Sequence, residues 1–210
     1  MRNTLQDMIL MIPAILIGFT FHEYAHAKMA DRLGDKTARF QGRLTLNPFH
    51  HIDIMGFILI LVAGFGWAKP VETNPRAYKN YYKDDLKVSL AGPLANLTVA
   101  VIGAVFLGIY VNFIIPVVSN GALVNIIFTM ILQIITINVM LFIFNLIPLP
   151  GFDGYHVIRD LYPKFFYKYE DRFYKYRNIA LLIFFLTPAR YIITIPVSII
   201  TNILLKIAFI

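Results

Sequence analysis

The sequence predicts an all-α polytopic membrane protein, on the evidence of its composition, its apolar runs and the position of its charges. Of the 210 residues, 58% are hydrophobic and only 15% are charged, and the mean hydropathy is +0.66. This composition is too apolar for a soluble domain of this size. Apolar runs long enough to cross a bilayer begin near Met8, Leu86 and Ala122. The basic residues behind the formal net charge of +7 lie mostly between these runs.

We expect one membrane-embedded domain over residues 1–210, because no internal repeat and no low-complexity linker divides the chain. Its core spans about residues 8–160 and consists of three helices. A small β-hairpin or sheet and a re-entrant segment are expected at the cytoplasmic edge of this core. Residues 161–210 are expected to add C-terminal interfacial and transmembrane helices.

The composition also limits the chemistry and the partners of the protein. The chain contains no cysteine, so any metal must be bound by His, Asp or Glu. Positive charge concentrated in loops predicts contact with an anionic lipid surface and argues against nucleic acid as a partner. The N-terminal apolar run lacks the features of a cleaved signal, and we expect it to be retained.

The first helix, expected from about Met8 to Met29, contains the motif His-Glu-Tyr-Ala-His at residues 22–26. On a helix, His22 and His26 lie one above the other on the same face. One Zn²⁺ can bind a ring nitrogen of each, with Glu23 as general base beside the bound water. The alternative is a charged face of a soluble helix. An ionisable cluster inside an apolar run instead indicates a functional site. We therefore expect the helical core to be catalytic.

The segment that follows predicts a strand and then a short apolar excursion. Residues 38–46 alternate as a strand does, and Asn47-Pro48 predicts a turn. The apolar run 54–67 would reach only about 21 Å as a helix, which is short of the roughly 30 Å hydrocarbon core. We therefore expect it to dip into the membrane and return, and we expect residues 69–75 to be extended.

The second half of the chain predicts two long helices and a C-terminal pair. The long helices are expected at 86–113 and 122–146, joined by an uncharged turn. Residues 155–177 mix six Tyr with six Lys or Arg, a mixture typical of a membrane interface. Residues 178–210 are apolar enough for one spanning helix and a short partner.

Basic residues in the loops predict the orientation of the helices. Residues 31–47 contain four Lys or Arg, residues 67–87 contain five, and residues 114–121 contain none. The positive-inside rule therefore places the first two loops in the cytoplasm, and 155–177 with them.

A hydrolytic zinc site needs a third protein ligand, and this orientation identifies a candidate. Only one membrane crossing then separates the first helix from the helix that ends near Leu146, so the two run parallel. Asp153 reaches the depth of His22 and His26 by this route, and we expect it to be the third ligand. The alternative role of Asp153 is to form a turn before Gly154.

Three stretches of the sequence carry a family resemblance. They are His22–His26, the sequence Ala-Gly-Pro-Leu-Ala-Asn at residues 91–96, and the stretch from Asn145 to Gly154 with its Pro148, Pro150 and Asp153-Gly154. Together they resemble the site-2 proteases, which are intramembrane zinc metalloproteases. Residues 42–48, 51–53 and 66–70 are similar to the small bacterial branch, which lacks appended PDZ or CBS domains.

The resemblance implies a function and a location. It implies a zinc metalloendopeptidase with one Zn²⁺ per chain that cleaves membrane proteins within or next to their transmembrane segments. It also implies a multi-pass protein of the plasma membrane, with its active site toward the cytoplasm. The strand expected at 38–46, with 69–75, would pair with an unwound substrate. The oligomeric state and the identity of the substrate stay open.

Four other polar residues have candidate roles. In the family, polar residues at the positions of Asn96 and Asn145 face the metal, which implies contact with the substrate carbonyl and its oxyanion; the alternative is a hydrogen bond between helices. His51 and His156 are accessory candidates that could reach the metal, or ordinary interfacial histidines. The alternative function is a non-hydrolytic metal-binding membrane protein or a metal transporter, although transporters usually contain paired repeats.

Overall fold

The computed structural model describes residues 5–64, 66–186 and 191–209, and these residues are mostly helical. The helices are α1 (Leu5–Arg32), α2 (Thr37–Phe40), α3 (Ile54–Ala63), α4 (Tyr81–Ile109), α5 (Gly121–Asn145), α6 (Asp153–Leu161), α7 (Pro163–Leu186) and α8 (Tyr191–Ala208). Helix α4 continues through a π-helical turn at Tyr110–Ile114 and a 3₁₀ turn at Ile115–Val117.

Three helices are long and apolar enough to cross a membrane, and they confirm the predicted three-helix core. They are Leu5–Arg32 with 28 residues, Tyr81–Val117 with 37 and Gly121–Asn145 with 25. At 1.5 Å per residue, even the shortest extends about 38 Å, which exceeds the roughly 30 Å of hydrocarbon. Each of α1, α4 and α5 contacts the other two.

Small side chains allow α4 to pack closely against α5 and α8. Ala100 and Ala104 on α4 are fully or almost fully buried against Ile135 and Val139 of α5 and Leu204 of α8. The small residues of this helix therefore serve close helix contact.

The predicted β-hairpin at residues 38–46 is wrong. Thr37 donates to Oδ1 of Asp35 through its backbone N–H (2.9 Å) and its hydroxyl (2.5 Å), and these bonds start the single turn of α2. Gly42 then turns the chain with φ of +69°, a value that favours glycine. Within the described ranges there is no β-strand, and the one isolated bridge pairs Ile52 with Ala68 in antiparallel fashion.

The same bridge explains the geometry of the short apolar run. The Asp53 side chain accepts from the backbone N–H of Gly56 (2.8 Å) and starts α3, and Gly64 ends it with φ of +75°. Ten residues form this helix, about 15 Å in length, so it is too short to span. Because Ile52 pairs with Ala68, the run ends beside the point where it began, as a re-entrant segment requires.

The described C-terminal part is helical. Residues 155–177 lie in α6 and α7, and α7 continues to Leu186. Ile193–Ala208 is a shorter apolar helix in the described part of 178–210, and the spanning helix expected in this region stays a prediction. The prediction also covered residues 187–190 and 210, which lie outside the described residues.

Candidate metal centre

Helix α1 presents His22, Glu23 and His26 to the interior of the helix bundle. Their residue exposures are 7%, 7% and 8%, because α4 and α5 cover this face of α1. The Nε2 atoms of the two histidines are 3.0 Å apart, which follows from their separation by about one helical turn.

Asp153, the first residue of α6, completes the cluster. Its Oδ2 lies 3.2 Å from Nε2 of His22 and 3.3 Å from Nε2 of His26. The turn before α6 brings it there, and Gly154 must lack a side chain because a Cβ would lie 2.6 Å from the carbonyl oxygen of Ile147.

The hydrogen bonds behind the histidines show which ring nitrogens face the cluster. Nδ1 of His26 lies 2.7 Å from the carbonyl oxygen of Val88, which can only accept, so this nitrogen carries the proton. Nδ1 of His22 lies 2.7 Å from Oδ1 of Asn96. The amide orientation of Asn96 follows from its Nδ2, which donates to the carbonyl oxygen of Gly18 at 2.9 Å. In neutral rings, both Nε2 atoms therefore present lone pairs.

Three lone-pair donors converge at this point, and they fit a divalent metal. His22, His26 and Asp153 are the group of ligating side chains that could hold a metal ion within the described part of the chain. Oδ2 of Asp153 is buried and accepts no hydrogen bond. Ligands about 2.0–2.1 Å from a tetrahedral zinc lie about 3.3 Å from each other, and the observed separations of 3.0 to 3.3 Å match this value.

Gly92 of α4 lies in the stretch 91–96 that carries the resemblance, but the sequence did not assign it a role in the site. A Cβ at this position would overlap Nε2 of His26 and would lie 2.6 Å from Cε1 of His22. Only glycine therefore allows α4 to approach the histidine rings. A glycine inside an apolar helix, where it is unfavourable by about 1 kcal/mol relative to alanine, was the available signal.

Asn96 lies behind His22, and all of its polar atoms are engaged. It is fully buried, and Nδ2 donates to Gly18 and also to Oδ1 of Asn138 at 3.0 Å. This arrangement favours the interhelical hydrogen bond over substrate contact. Asn145 donates to the carbonyl oxygen of Leu141 at 3.0 Å, and its proposed contact with substrate stays a prediction.

The structure places His51 and His156 outside the three-residue cluster. His51 is fully buried, with Nε2 2.7 Å from the carbonyl oxygen of Thr45. Burial lowers the pKa of His51. Burial and Arg159 lower the pKa of His156, whose ring packs edge-on against Tyr155. Neither histidine is grouped with the ligand atoms.

Glu23 points toward the segment that follows the apolar excursion. Its Oε2 accepts a hydrogen bond of 2.7 Å from the backbone N–H of Val71. This contact joins residues that are 48 positions apart, and no local pattern in the sequence indicated it.

The three apolar helices and the cluster of His22, His26 and Asp153, with Glu23 next to His22 in the chain, define a membrane zinc metalloprotease. The chain belongs to peptidase family M50, whose sequence profile matches residues 110–188. A relative from Bacillus subtilis is 42% identical over 85% of this chain and 80% of its own length. Relatives from Mycolicibacterium smegmatis and Methanocaldococcus jannaschii are 34% and 30% identical. They cover 70% and 72% of this chain, which spans 55% and 70% of their lengths.

Each of these relatives bears the printed name "Putative zinc metalloprotease", followed by YwhC, Rip2 and MJ0611 respectively. No solved structure matches the chain. The family membership confirms the predicted zinc dependence and metalloprotease activity, and it argues against the non-hydrolytic alternative.

Proposed function

We propose that this zinc metalloprotease cleaves other membrane proteins within or next to their transmembrane segments. The observation that carries the proposal is the depth of the cluster along α1. His26 lies six residues and His22 ten residues before Arg32 ends the helix, which corresponds to about 9 and 15 Å. A site at this depth in a spanning helix lies below the lipid surface, where its substrates are the segments of proteins that cross the bilayer.

The contacts of α1 support the parallel arrangement of α1 and α5 that this site requires. Gly18 and His26 of α1 lie close to Asn138 of α5 and to Asp153 respectively. Later residues of α1 therefore lie beside later residues of the segment formed by α5 and the start of α6. This order shows that α1 and α5 run in the same direction. Asp153 reaches the histidines because only α4 crosses between them.

The distribution of charge supports an active site toward the cytoplasmic side of the plasma membrane. Loops on the Asp153 side contain four, five and six basic residues, whereas residues 114–121 contain none. The positive-inside rule places the basic side in the cytoplasm. Helix α3 fits a segment that dips into lipid from this side, because Ile54, Met55 and Val62 are 77%, 61% and 74% exposed.

The chain's own residues then divide the work of hydrolysis. His22, His26 and Asp153 would hold the zinc, which supplies Lewis acidity and lowers the pKa of a bound water. Val71 N–H holds Oε2 of Glu23, so the other carboxylate oxygen can accept a proton from water. Glu23 then transfers this proton to the leaving amine nitrogen of the substrate. Asn96 and the Val88 carbonyl hold the imidazole rings in orientation.

The proposal is tested with the full-length protein in proteoliposomes that contain a single-span reporter protein. The wild type is expected to cleave the reporter inside or beside its transmembrane span. Mass spectrometry of the products locates the cleaved bond. Glu23→Gln is expected to keep zinc and lose cleavage. A zinc-loaded wild type that cuts only soluble peptides and spares every membrane reporter would contradict the proposed substrate class.

A further inference from the structure

Arg43 is a buried cation whose partners are backbone carbonyls. It is 8% exposed, and no carboxylate lies within ion-pair distance of it in the described ranges. Its Nη2 donates to the carbonyl oxygens of Lys69 (2.6 Å) and His50 (2.9 Å), and Nη1 donates to that of Pro70. A buried charge without a counter-ion is unfavourable unless hydrogen bonds compensate for it. The three carbonyls must therefore stay within hydrogen-bond distance of the guanidinium, which fixes their positions.

Two of the three carbonyls bound by Arg43 belong to Lys69 and Pro70, the residues directly before Val71. We call residues 69–74 the tether. Two further backbone contacts hold it: Lys69 N–H donates to the His51 carbonyl oxygen at 3.0 Å, and Asn74 N–H donates to Oδ2 of Asp35 at 2.6 Å. Between these points, Val71 N–H is aimed at Oε2 of Glu23.

We infer that Arg43 is a positioning residue for hydrolysis, which acts through the tether on the carboxylate of Glu23. This inference rests on the proposed role of Glu23 as general base. Glu23 has three rotatable side-chain bonds, and the described structure assigns it one hydrogen bond, the one from Val71. Arg43 binds the Pro70 carbonyl, which shares a peptide plane with the Val71 N–H, and the carbonyl of the preceding peptide group. It therefore fixes the direction of the N–H. The guanidinium suits this task because its planar fork presents several donors at fixed angles.

Loss of Arg43 is expected to affect the turnover of substrate and not the binding of zinc. The zinc ligands do not contact Arg43, so its loss is expected to leave zinc content unchanged. The carboxylate would lose its orientation, and turnover is expected to fall about 10- to 100-fold, as is usual when a residue that orients a site residue is removed.

The test compares variants of the zinc-loaded full-length protein in proteoliposomes with the single-span reporter. Arg43→Met removes the donors but keeps an extended side chain of similar length. Val71→Pro removes the N–H that reaches Glu23, and an extended segment tolerates proline. Val71→Ala is its matched control because it keeps the N–H. Gln41→Ala is the control for the tether, because Gln41 donates to the Glu72 side chain at the exposed edge.

We expect Arg43→Met and Val71→Pro to lower kcat by similar factors, with KM and zinc content unchanged. Gln41→Ala should keep the wild-type kcat, and Val71→Ala should lose less kcat than Val71→Pro because it retains the N–H. The double variant should be no slower than the slower single variant, because both changes interrupt the same path. A purely structural role for Arg43 would instead give additive losses in kcat, or a loss of zinc.

Full kcat in either Arg43→Met or Val71→Pro would overturn the inference, and so would additive losses in the double variant. If Arg43→Met does not fold, Val71→Pro still tests the contact to Glu23, and Arg43→Lys tests the clamp with the charge retained. Failure of the proposed function is recognised separately: the wild type then spares the reporter, or Glu23→Gln still cleaves it.

Discussion

Asn96 accepts a hydrogen bond of 2.7 Å from Nδ1 of His22, and this contact determines which nitrogen of the ring faces the cluster. Nδ2 of Asn96 is held by Gly18 and Asn138, so the amide cannot rotate without breaking bonds to both α1 and α5. The proposed zinc site therefore depends on a residue of α4 that is not one of its proposed ligands.

The first prediction concerns this residue. Asn96→Leu is expected to lower zinc affinity by about 10- to 100-fold, the usual effect of removing the partner of a metal-bound histidine. Asn96→Asp keeps an acceptor for Nδ1 and should retain more affinity than Asn96→Leu. Competition with a chromogenic chelator measures both constants at one pH. Equal zinc affinity in the wild type and Asn96→Leu would show that Asn96 does not orient His22.

The second prediction concerns the approach of α4 to the histidine rings. Gly92→Ala places a methyl group where the imidazole of His26 lies, so either the ring or the helix must move. We expect a loss of zinc and of proteolysis, with the protein still inserted in the membrane. Gly121→Ala is the matched control, because a Cβ there meets nothing within 4 Å. Normal zinc content in Gly92→Ala would contradict the close packing described above.

The third prediction separates the proposed ligand from its neighbour. Asp153→Ala leaves two histidines, too few for a stable hydrolytic site, and zinc affinity should fall more than in any Asn96 variant. His156→Ala should keep the wild-type zinc content, because its ring lies outside the cluster. Elemental analysis after dialysis against a weak chelator compares the two. A zinc loss in His156→Ala equal to that in Asp153→Ala would return His156 to the set of ligands.

Patterns along the chain predicted the site better than its surroundings. The spacing of His22 and His26 is a property of any helix, and a count of membrane crossings sufficed to bring Asp153 to the same depth. The contacts of Asn96 and Val71 join residues 74 and 48 positions apart. They depend on how three helices and a loop pack, and the periodicity of one segment contains no information about this.

The error at residues 38–46 has a similar cause. Alternation of apolar and polar residues predicted a strand, but Ala38 is fully buried and Phe40 is 85% exposed. Asp35 accepts two hydrogen bonds from Thr37 at the start of α2, and Arg43 folds inward to bind backbone carbonyls of the tether. An alternating pattern predicts a strand only if apolar side chains are buried and polar side chains are exposed. Arg43 departs from this rule because its hydrogen bonds to carbonyls bury a charged side chain.

The fourth prediction concerns Asp160, which lies on α6 seven residues after the proposed ligand. Burial raises its pKa to about 6, against the opposing effect of Arg159, with which it pairs at 2.8 Å. Its Oδ2 is buried and accepts no hydrogen bond. Because the pKa in the folded protein lies above the ordinary Asp value of about 3.9, the folded protein binds an extra proton at pH values between the two. Stability from this group is therefore present at low pH and is lost as the pH rises through about 6.

We therefore expect the free energy of unfolding of the wild type to fall by up to about 3 kcal/mol, relative to Asp160→Asn, as the pH rises from about 4 to 7. Thermal or denaturant unfolding in one detergent, at matched ionic strength, measures this difference. Asp171→Asn, at an exposed position on α7, controls for the loss of one negative charge. If the wild type and Asp160→Asn show the same pH dependence, the carboxyl group of Asp160 does not titrate in this window, and its burial beside Arg159 is fully compensated by their ion pair.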